Sequence, residues 1–238
     1  MKCRFCSAIL NDVFLDLGKA PPSNAFLTAA DLAMPELYFP LRLYSCRSCL
    51  LVQVDEVQKH DTLFSSDYIY FSSFSSTWLA HAENYVALAT QKLHLGPHSL
   101  IMEIASNDGY LLQYFKQRNI PCIGIEPTAS TAMAAREKGI ESLEHFFGLA
   151  FAGEFVASRR QPDLIICNNV LAHVPDVNDF VAGIAAALAR EGVVTIEFPH
   201  LLQLVSQGQF DTVYHEHFSY FSLHTVQKIL AEHGLRIW

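Results

Sequence analysis

The sequence predicts an α/β protein: a doubly wound, mostly parallel sheet preceded by a small separate segment. Three observations carry that expectation. From residue 100 onward, short continuous apolar runs alternate with helical patterns. Turn residues such as Gly96, Pro97, Gly139 and Gly192 punctuate them. Residues 1–60, by contrast, are irregular, broken by Pro21, Pro22, Pro35 and Pro40, and hold four of the six cysteines. Buried runs separated by helices indicate parallel strands covered on both faces.

The elements follow in order. LRLYSC and LLVQVD read as short strands within residues 1–60. From Ser76, Trp78, Ala82, Tyr85, Val86, Ala89 and Leu93 recur at three- and four-residue steps, which predicts a helix ended by Gly96 and Pro97. LIMEI (100–104) precedes a helix from about Tyr110, and CIGIE (122–126) precedes one over 128–138. DLIIC (163–167) leads to a helix starting near Asp176, and GVVTIEF (192–198) is the fifth strand. A last helix runs from Ser222, a good N-cap, to Gly234. Cys122 and Cys167, inside strand-like runs, read as core. The expected organisation is an N-terminal domain over 1–60, a helical linker and lid region over 61–96, and the sheet domain over 97–238.

Of the 238 residues, 51% are hydrophobic and 17% charged, enough to bury a large core. The net charge is −8, with six Lys/Arg against six Asp/Glu in residues 1–60 and ten against eighteen beyond. Neither part has the basic face that a phosphate backbone requires, so nucleic acid is not an expected partner. No apolar run approaches the ~18 residues of a membrane span, and no charged-then-apolar leader is visible. A soluble cytoplasmic protein without a membrane partner is the expectation.

Cys3-x-x-Cys6 and Cys46-x-x-Cys49 form two knuckles separated by 39 residues. In a reducing compartment such pairs favour metal over disulfide, and four thiolates suit a closed tetrahedral zinc site. Four thiolates leave no open position, so Cys3, Cys6, Cys46 and Cys49 predict a structural Zn2+, with sulfurs about 4 Å apart. Buried or redox-active thiols are the competing reading.

Two further segments carry chemistry. The first strand ends in Glu103-Ile-Ala-Ser-Asn-Asp-Gly109 and the second in Glu126. In such sheets, ligands sit beyond the carboxyl ends of the strands. Gly109 permits close backbone approach, and Glu126 suits a ribose diol. A dinucleotide would want glycines at Ala105 and Asn107, and Glu103 and Asp108 would repel its pyrophosphate. They suit a ligand bearing an ammonium and a sulfonium, namely S-adenosylmethionine. A sheet with an empty or degenerate cofactor site is the alternative. The second segment, DTVYHEHFSY (211–220), crowds Tyr214, His215, Glu216, His217 and Tyr220 into ten positions. General acid–base chemistry needs such groups, although a satisfied polar network beneath the last helix would use the same residues.

With these motifs in view, the chain resembles the zinc-containing, S-adenosylmethionine-dependent C-methyltransferases that act on nucleotide-linked 4-keto-deoxysugars. The resemblance rests on both knuckles, DYIYFSSFSSTW (67–78), EIASNDGYLL (103–112), GIEP (124–127), NNVLAHVPDVNDFV (168–181), EFPHL (197–201) and DTVYHEHFSYFSL (211–223). It implies a Rossmann-like class I methyltransferase domain and methylation alpha to a sugar ketone through an enolate. His217 is the candidate base, with Glu216 either assisting or itself the base. Tyr214 and one of Tyr68 or Tyr70 are candidate donors to the ketone oxygen, although Tyr68 and Tyr70 equally suit an aromatic packing cluster. Glu103, Ala105, Asn107, Gly109, Glu126 and Asn168 are the cofactor set. His200 is expected to line the substrate pocket, and His173 to serve helix-start packing. The implied partner is a nucleotide-sugar substrate, on a protein expected to be a monomer. Family members continue into a further large C-terminal domain, whereas this chain stops at Trp238, so a truncated methyltransferase sheet is expected, with LRIW (235–238) beginning a sixth strand. Two other functions compete: another zinc-containing methyltransferase acting on RNA or a small molecule, and a non-catalytic or truncated methyltransferase-fold protein. The charge-neutral first 60 residues argue against RNA.

Overall fold

The computed structural model describes residues 1–23, 26–55 and 71–238. The chain forms two compact units that cut across its linear order. One gathers Met1–Leu63, Asn169–Val181 and Glu197–Trp238; the other gathers Phe64–Asn168 and Ala182–Ile196. Residues 197–238 belong with the cysteine-bearing segment, because the strand Ser219–Tyr220 pairs with Val52–Val54.

In the cysteine-bearing unit, β1 (Asp12–Ala20), β2 (Phe39–Ser45), β3 (Val52–Val54) and β9 (Ser219–Tyr220) form an antiparallel sheet in the order β1-β2-β3-β9. Leu41, Leu43, Val52, Val54, Leu204, Val213, Phe218 and Tyr220 make its core. The length of β1 was not anticipated: five of its nine residues are charged, Gly or Ala, and its register with β2 shifts between Asp16 and Lys19. Gly18 lies in that shift at φ +77°, a conformation disfavoured for side-chain-bearing residues.

The sheet of the second unit runs β6-β5-β4-β7-β8. Its strands are β4 (Ile101–Ile104), β5 (Cys122–Ile125), β6 (Glu141–Leu143), β7 (Leu164–Asn168) and β8 (Val193–Glu197). β4 pairs in parallel with β5 and β7, and β5 with β6. The helices of this unit are α1 (Ser76–Lys92), α2 (Leu112–Gln117), α3 (Ala129–Glu137) and α4 (Leu149–Ser158), while α5 (Val177–Ala187) is divided between the two units. α1 starts where its pattern predicts. The Ser75 side chain accepts from the Trp78 amide, and Ala82, Val86 and Ala89 turn inward against Ile101, Phe115, Leu164 and Ile166. Every residue of β4 and β7 is buried, as parallel strands under helices require. β8 closes one side of the sheet order and is half-buried along all five residues. β6 and α4 were missed, since three residues of strand give too short a period to read.

Returning to the first unit, α6 (Leu201–Gln207) is capped by His200, and α7 (Leu223–Glu232) by Ser222 as expected. Residues 235–238 form no strand, so the expected start of a sixth strand is not realised. Cys167 is fully buried, in line with its reading as core, while Cys122 is half-buried with its thiol 3.6 Å from the Leu112 carbonyl. Among the described residues, no helix is long and apolar enough to cross a membrane.

Candidate active site and metal centre

The four knuckle sulfurs lie within 4.8 Å of one another, somewhat wider than the spacing argument anticipated. Cys3 Sγ is 3.5 Å from Cys49 Sγ, and Cys6 Sγ is 3.5 Å from Cys46 Sγ. A zinc tetrahedron with bonds of about 2.3 Å has edges of about 3.8 Å, so the donor set fits the ion. The two knuckles repeat one backbone pattern. Ser7 donates to the Cys3 carbonyl and Leu50 to the Cys46 carbonyl; Cys3 donates to Ala8 and Cys46 to Leu51. Ser7 and Leu50 both sit in the left-handed region, at φ 60° and 67°. Burial raises the Cys46 thiol, but the amides of Cys49 and Ser48 outweigh it and hold it at about 7. Burial pushes Cys3 up to about 11 and Cys49 higher still. A bound cation would remove that cost by taking all four as thiolates.

The first knuckle also ties down its own unit. The Arg4 amide donates to Gln53 Oε1 at 2.8 Å, and its guanidinium donates to the Pro175 carbonyl at 3.0 Å. The same guanidinium lies 4.9 Å over the Phe218 ring. Asn178 donates to the Phe5 carbonyl at 2.9 Å.

At the carboxyl end of β4, Ala105, Asn107 and Gly109 all take positive φ, at 56°, 49° and 73°. The loop therefore has the left-handed geometry that glycines ordinarily supply, although only one glycine is present. At Gly109 a side chain would be strained by the positive φ, and its Cβ would stand 2.5 Å from Ile140 Cδ1, which would have to move. Glu126 accepts from the Asn107 amide on one oxygen and from the Thr128 amide on the other, each at 2.9 Å. Each oxygen keeps a second lone pair for a ribose hydroxyl. Burial raises its pKa, with the Thr128 and Asn107 amides opposing. Glu103 is fully buried, and neither carboxylate oxygen has a hydrogen-bond partner among the described residues. Burial pushes its pKa well up, and the neighbouring Glu126 and Asp108 carboxylates add to the rise. Asn168 Nδ2 is likewise buried without a partner. Orphaned groups at strand ends are what a polar, cationic ligand would satisfy, so these residues fit S-adenosylmethionine. Asp108 is differently used: Lys138 pairs with it at 2.9 Å, and the Ser73 hydroxyl donates to it.

The 211–220 run forms a compact cluster in the cysteine-bearing unit. His217 Nδ1 lies 2.8 Å from the Thr212 carbonyl. A carbonyl only accepts, so Nδ1 carries the hydrogen and Nε2 the lone pair. The Tyr214 hydroxyl then donates to His217 Nε2 at 2.7 Å. His173 Nδ1 donates to the Glu216 carbonyl at 2.9 Å, and its ring lies 4.6 Å from that of His217. Burial pushes His217 down to about 4. Burial, reinforced by His217, pushes His173 down to about 3. Both imidazoles are neutral at pH 7, with their tautomers set by carbonyls.

The Glu216 side chain is buried and accepts from the Ser23 hydroxyl at 2.9 Å. His215 faces elsewhere, toward the Pro40 carbonyl at 3.2 Å and the edge of Phe39. His200, expected to line a pocket, accepts from the Leu202 amide on Nδ1 and stands 3.2 Å from the Leu223 amide on Nε2, which places it at the starts of α6 and α7. Tyr68 and Tyr70 lie outside the described residues. Sequence reasoning gave His173 only a packing role and left out Ser23. His173 stands five residues past the end of a hydrophobic strand, a signal shared with ordinary packing histidines. Ser23 meets Glu216 across 193 positions, which no local pattern announces.

The parallel sheet, the strand-end carboxylates and the four-thiolate staple define a Rossmann-like class I methyltransferase fold with an N-terminal zinc-binding segment. Comparison with known proteins agrees. Residues 78–238 match the family described as "Methyltransferase domain" and residues 3–64 the one described as "Putative zinc binding domain". The chain belongs to the methyltransferase-domain family. It is 34% identical over 240 residues to the C-methyltransferase NovU of Streptomyces niveus, covering 99% of this chain and 56% of that protein. The chain thus spans a little over half of that relative's length. In fold it is similar to a SAM-dependent methyltransferase from Archaeoglobus fulgidus (TM-score 0.53, 15% identity, covering 64% of this chain and 68% of that one). It is also similar to magnesium protoporphyrin IX methyltransferase from Synechocystis PCC 6803, solved with bound SAH (TM-score 0.51, 16% identity, covering 67% and 74%).

Two predictions follow from the geometry. The purified protein should hold one zinc per chain, and Cys3→Ser with Cys49→Ser should lose it and lower the melting temperature. Stoichiometry by elemental analysis near zero in the parent would contradict the assignment. The second concerns acid. The folded pKa values of His173 and His217 lie below the ~6.5 of an unfolded histidine, so their contribution is complete above pH 6.5 and is lost as pH falls toward 4 and then 3. Between pH 6.5 and 4.5 the parent's melting temperature should therefore fall more steeply than that of a His173→Asn, His217→Asn variant. Equal slopes would show that neither ring is held neutral by burial.

Proposed function

We propose that this chain catalyses S-adenosylmethionine-dependent C-methylation at the carbon alpha to the ketone of a nucleotide-linked 4-keto-deoxysugar. The observation that carries the reading is the Tyr214–His217 pair, a phenol donating to a neutral imidazole whose other nitrogen is locked on the Thr212 carbonyl. A proton alpha to a carbonyl leaves only when a base takes it and donors hold the developing oxyanion. NovU, similar along 99% of this chain, is named a C-methyltransferase, which supports carbon as the acceptor.

S-adenosylmethionine, when bound, supplies an electrophilic methyl group on a sulfonium. Glu126 holds the ribose diol while keeping its two amide contacts, and Glu103 and Asn168 meet the polar methionine end. Ala105, Asn107 and Gly109 give the loop its left-handed shape. In the acid–base cluster, Tyr214 turns its hydroxyl from His217 to the ketone oxygen, which exposes the Nε2 lone pair. His217 takes the alpha proton on Nε2, and the electron pair of the broken C–H bond moves into the enolate. The Thr212 carbonyl steadies the imidazolium through Nδ1–H. Glu216, positioned by Ser23, favours the same cation or orients the sugar. His173 remains neutral beside it and adds no competing charge. Burial of the cluster strengthens each of these contacts by excluding water.

Enolate formation precedes transfer, so the enzyme in heavy water should exchange the alpha proton of a 4-keto-deoxysugar nucleotide without a methyl donor. His217→Ala should lower exchange by on the order of 10²–10⁴-fold while leaving S-adenosylmethionine affinity unchanged. Exchange at the parental rate in that variant would remove His217 as the base and pass the role to Glu216.

A further inference from the structure

Tyr220 takes no part in the proton chemistry so far, yet its placement is unusual for a phenol. Its backbone is fixed in β9 opposite Val52, and its ring packs in the core of Leu41, Leu43, Val52 and Val54. The residue is 3% exposed, and among the described residues its hydroxyl has no hydrogen-bond partner. A phenylalanine would fill the same apolar space without leaving a buried donor unmatched. The His217 ring meets the Tyr220 ring edge-on, with centroids 6.1 Å apart, so the orphan belongs to the acid–base cluster. Tyr214, the other phenol there, has its one proton committed to His217.

We infer that the Tyr220 hydroxyl is a substrate-contacting donor, the fixed hydrogen-bond partner of the ketone oxygen that becomes the enolate. The inference rests on the enolate reading above and deepens it. Tyr214 must leave His217 in order to reach the substrate, whereas the Tyr220 O–H proton is committed to no acceptor among the described residues. Its ring is held by the core and needs no reorganisation as charge develops on the oxygen. Burial also pushes its pKa up, with the Tyr214 backbone opposing, so the phenol stays protonated and serves as donor rather than base. No bond to Tyr220 forms or breaks: the electron pair released at carbon is delocalised onto an oxygen that Tyr220 already holds.

The test is Tyr220→Phe in the full chain, read by melting temperature, by alpha-proton exchange of a 4-keto-deoxysugar nucleotide in heavy water, and by the kcat and KM of methylation. The expected result is an equal or higher melting temperature, exchange and kcat lowered roughly 10²-fold, and KM little changed. A higher melting temperature with parental exchange and kcat overturns the proposal and leaves a merely unpaired hydroxyl. Absence of exchange in the parent itself overturns the enolate reading, and this role with it. Should the Phe variant not fold, 3-fluorotyrosine at position 220 keeps the shape while making the donor more acidic. It should change the exchange rate, and an unchanged rate overturns the role.

Discussion

The convergence of four thiolates is the constraint on which the cysteine-bearing unit depends. Its β1–β2 ribbon is largely exposed and its apolar core is small, so chain entropy is offset by few buried side chains. The sulfurs bring residues 3–6 and 46–49 to one point, and the rest is assembled from there. Arg4 and Phe5, inside the first knuckle, reach Gln53, Pro175, Phe218 and Asn178. Phe218 is the neighbour of His217, so one backbone step separates the residue stacked on Arg4 from the candidate base. A zinc ion held by four thiolates has no open position for substrate; its consequence is a fixed backbone beneath the candidate acid–base cluster.

The second unit meets a different constraint, the desolvation of carboxylates. Glu103 and Glu126 end adjacent parallel strands, and both are pushed toward protonation by burial. Two amides partly compensate Glu126, while Glu103 has no partner among the described residues. Such an arrangement is poor for stability alone, and a cationic, diol-bearing ligand resolves it. The same logic applies to the neutral histidines, whose burial trades stability in acid for a fixed tautomer. Desolvated titratable groups thus gather at the strand ends and in the 211–220 run, a pattern that marks candidate functional sites.

Much of this was legible in the sequence because it is local. The knuckles, the strands ending at Glu103 and Glu126, the α1 stripe of Ala82, Val86 and Ala89, and the Ser222 cap depend on spacings within one or two turns. What was missed is long-range. The return of residues 197–238 to the first unit depends on two residues of β9, and Ser23 reaches Glu216 across most of the chain. The left-handed loop was half-legible: Gly109 marked it, whereas Ala105 and Asn107 concealed two further positive φ angles behind ordinary residues. His200, a histidine past a strand end, suggested a pocket, and its contacts to the Leu202 and Leu223 amides at two helix starts depend on a packing that no local pattern announces.

The central claim is that a methyl group reaches a carbon made nucleophilic by loss of its proton. It is tested most directly by supplying S-adenosylmethionine labelled with ¹³C in the methyl group, together with a 4-keto-deoxysugar nucleotide, and recording the product's carbon spectrum. The account predicts a labelled methyl on quaternary or tertiary carbon next to the ketone, coupled to that carbon and absent when His217 is replaced. A label at the chemical shift of an O-methyl or N-methyl group would contradict it.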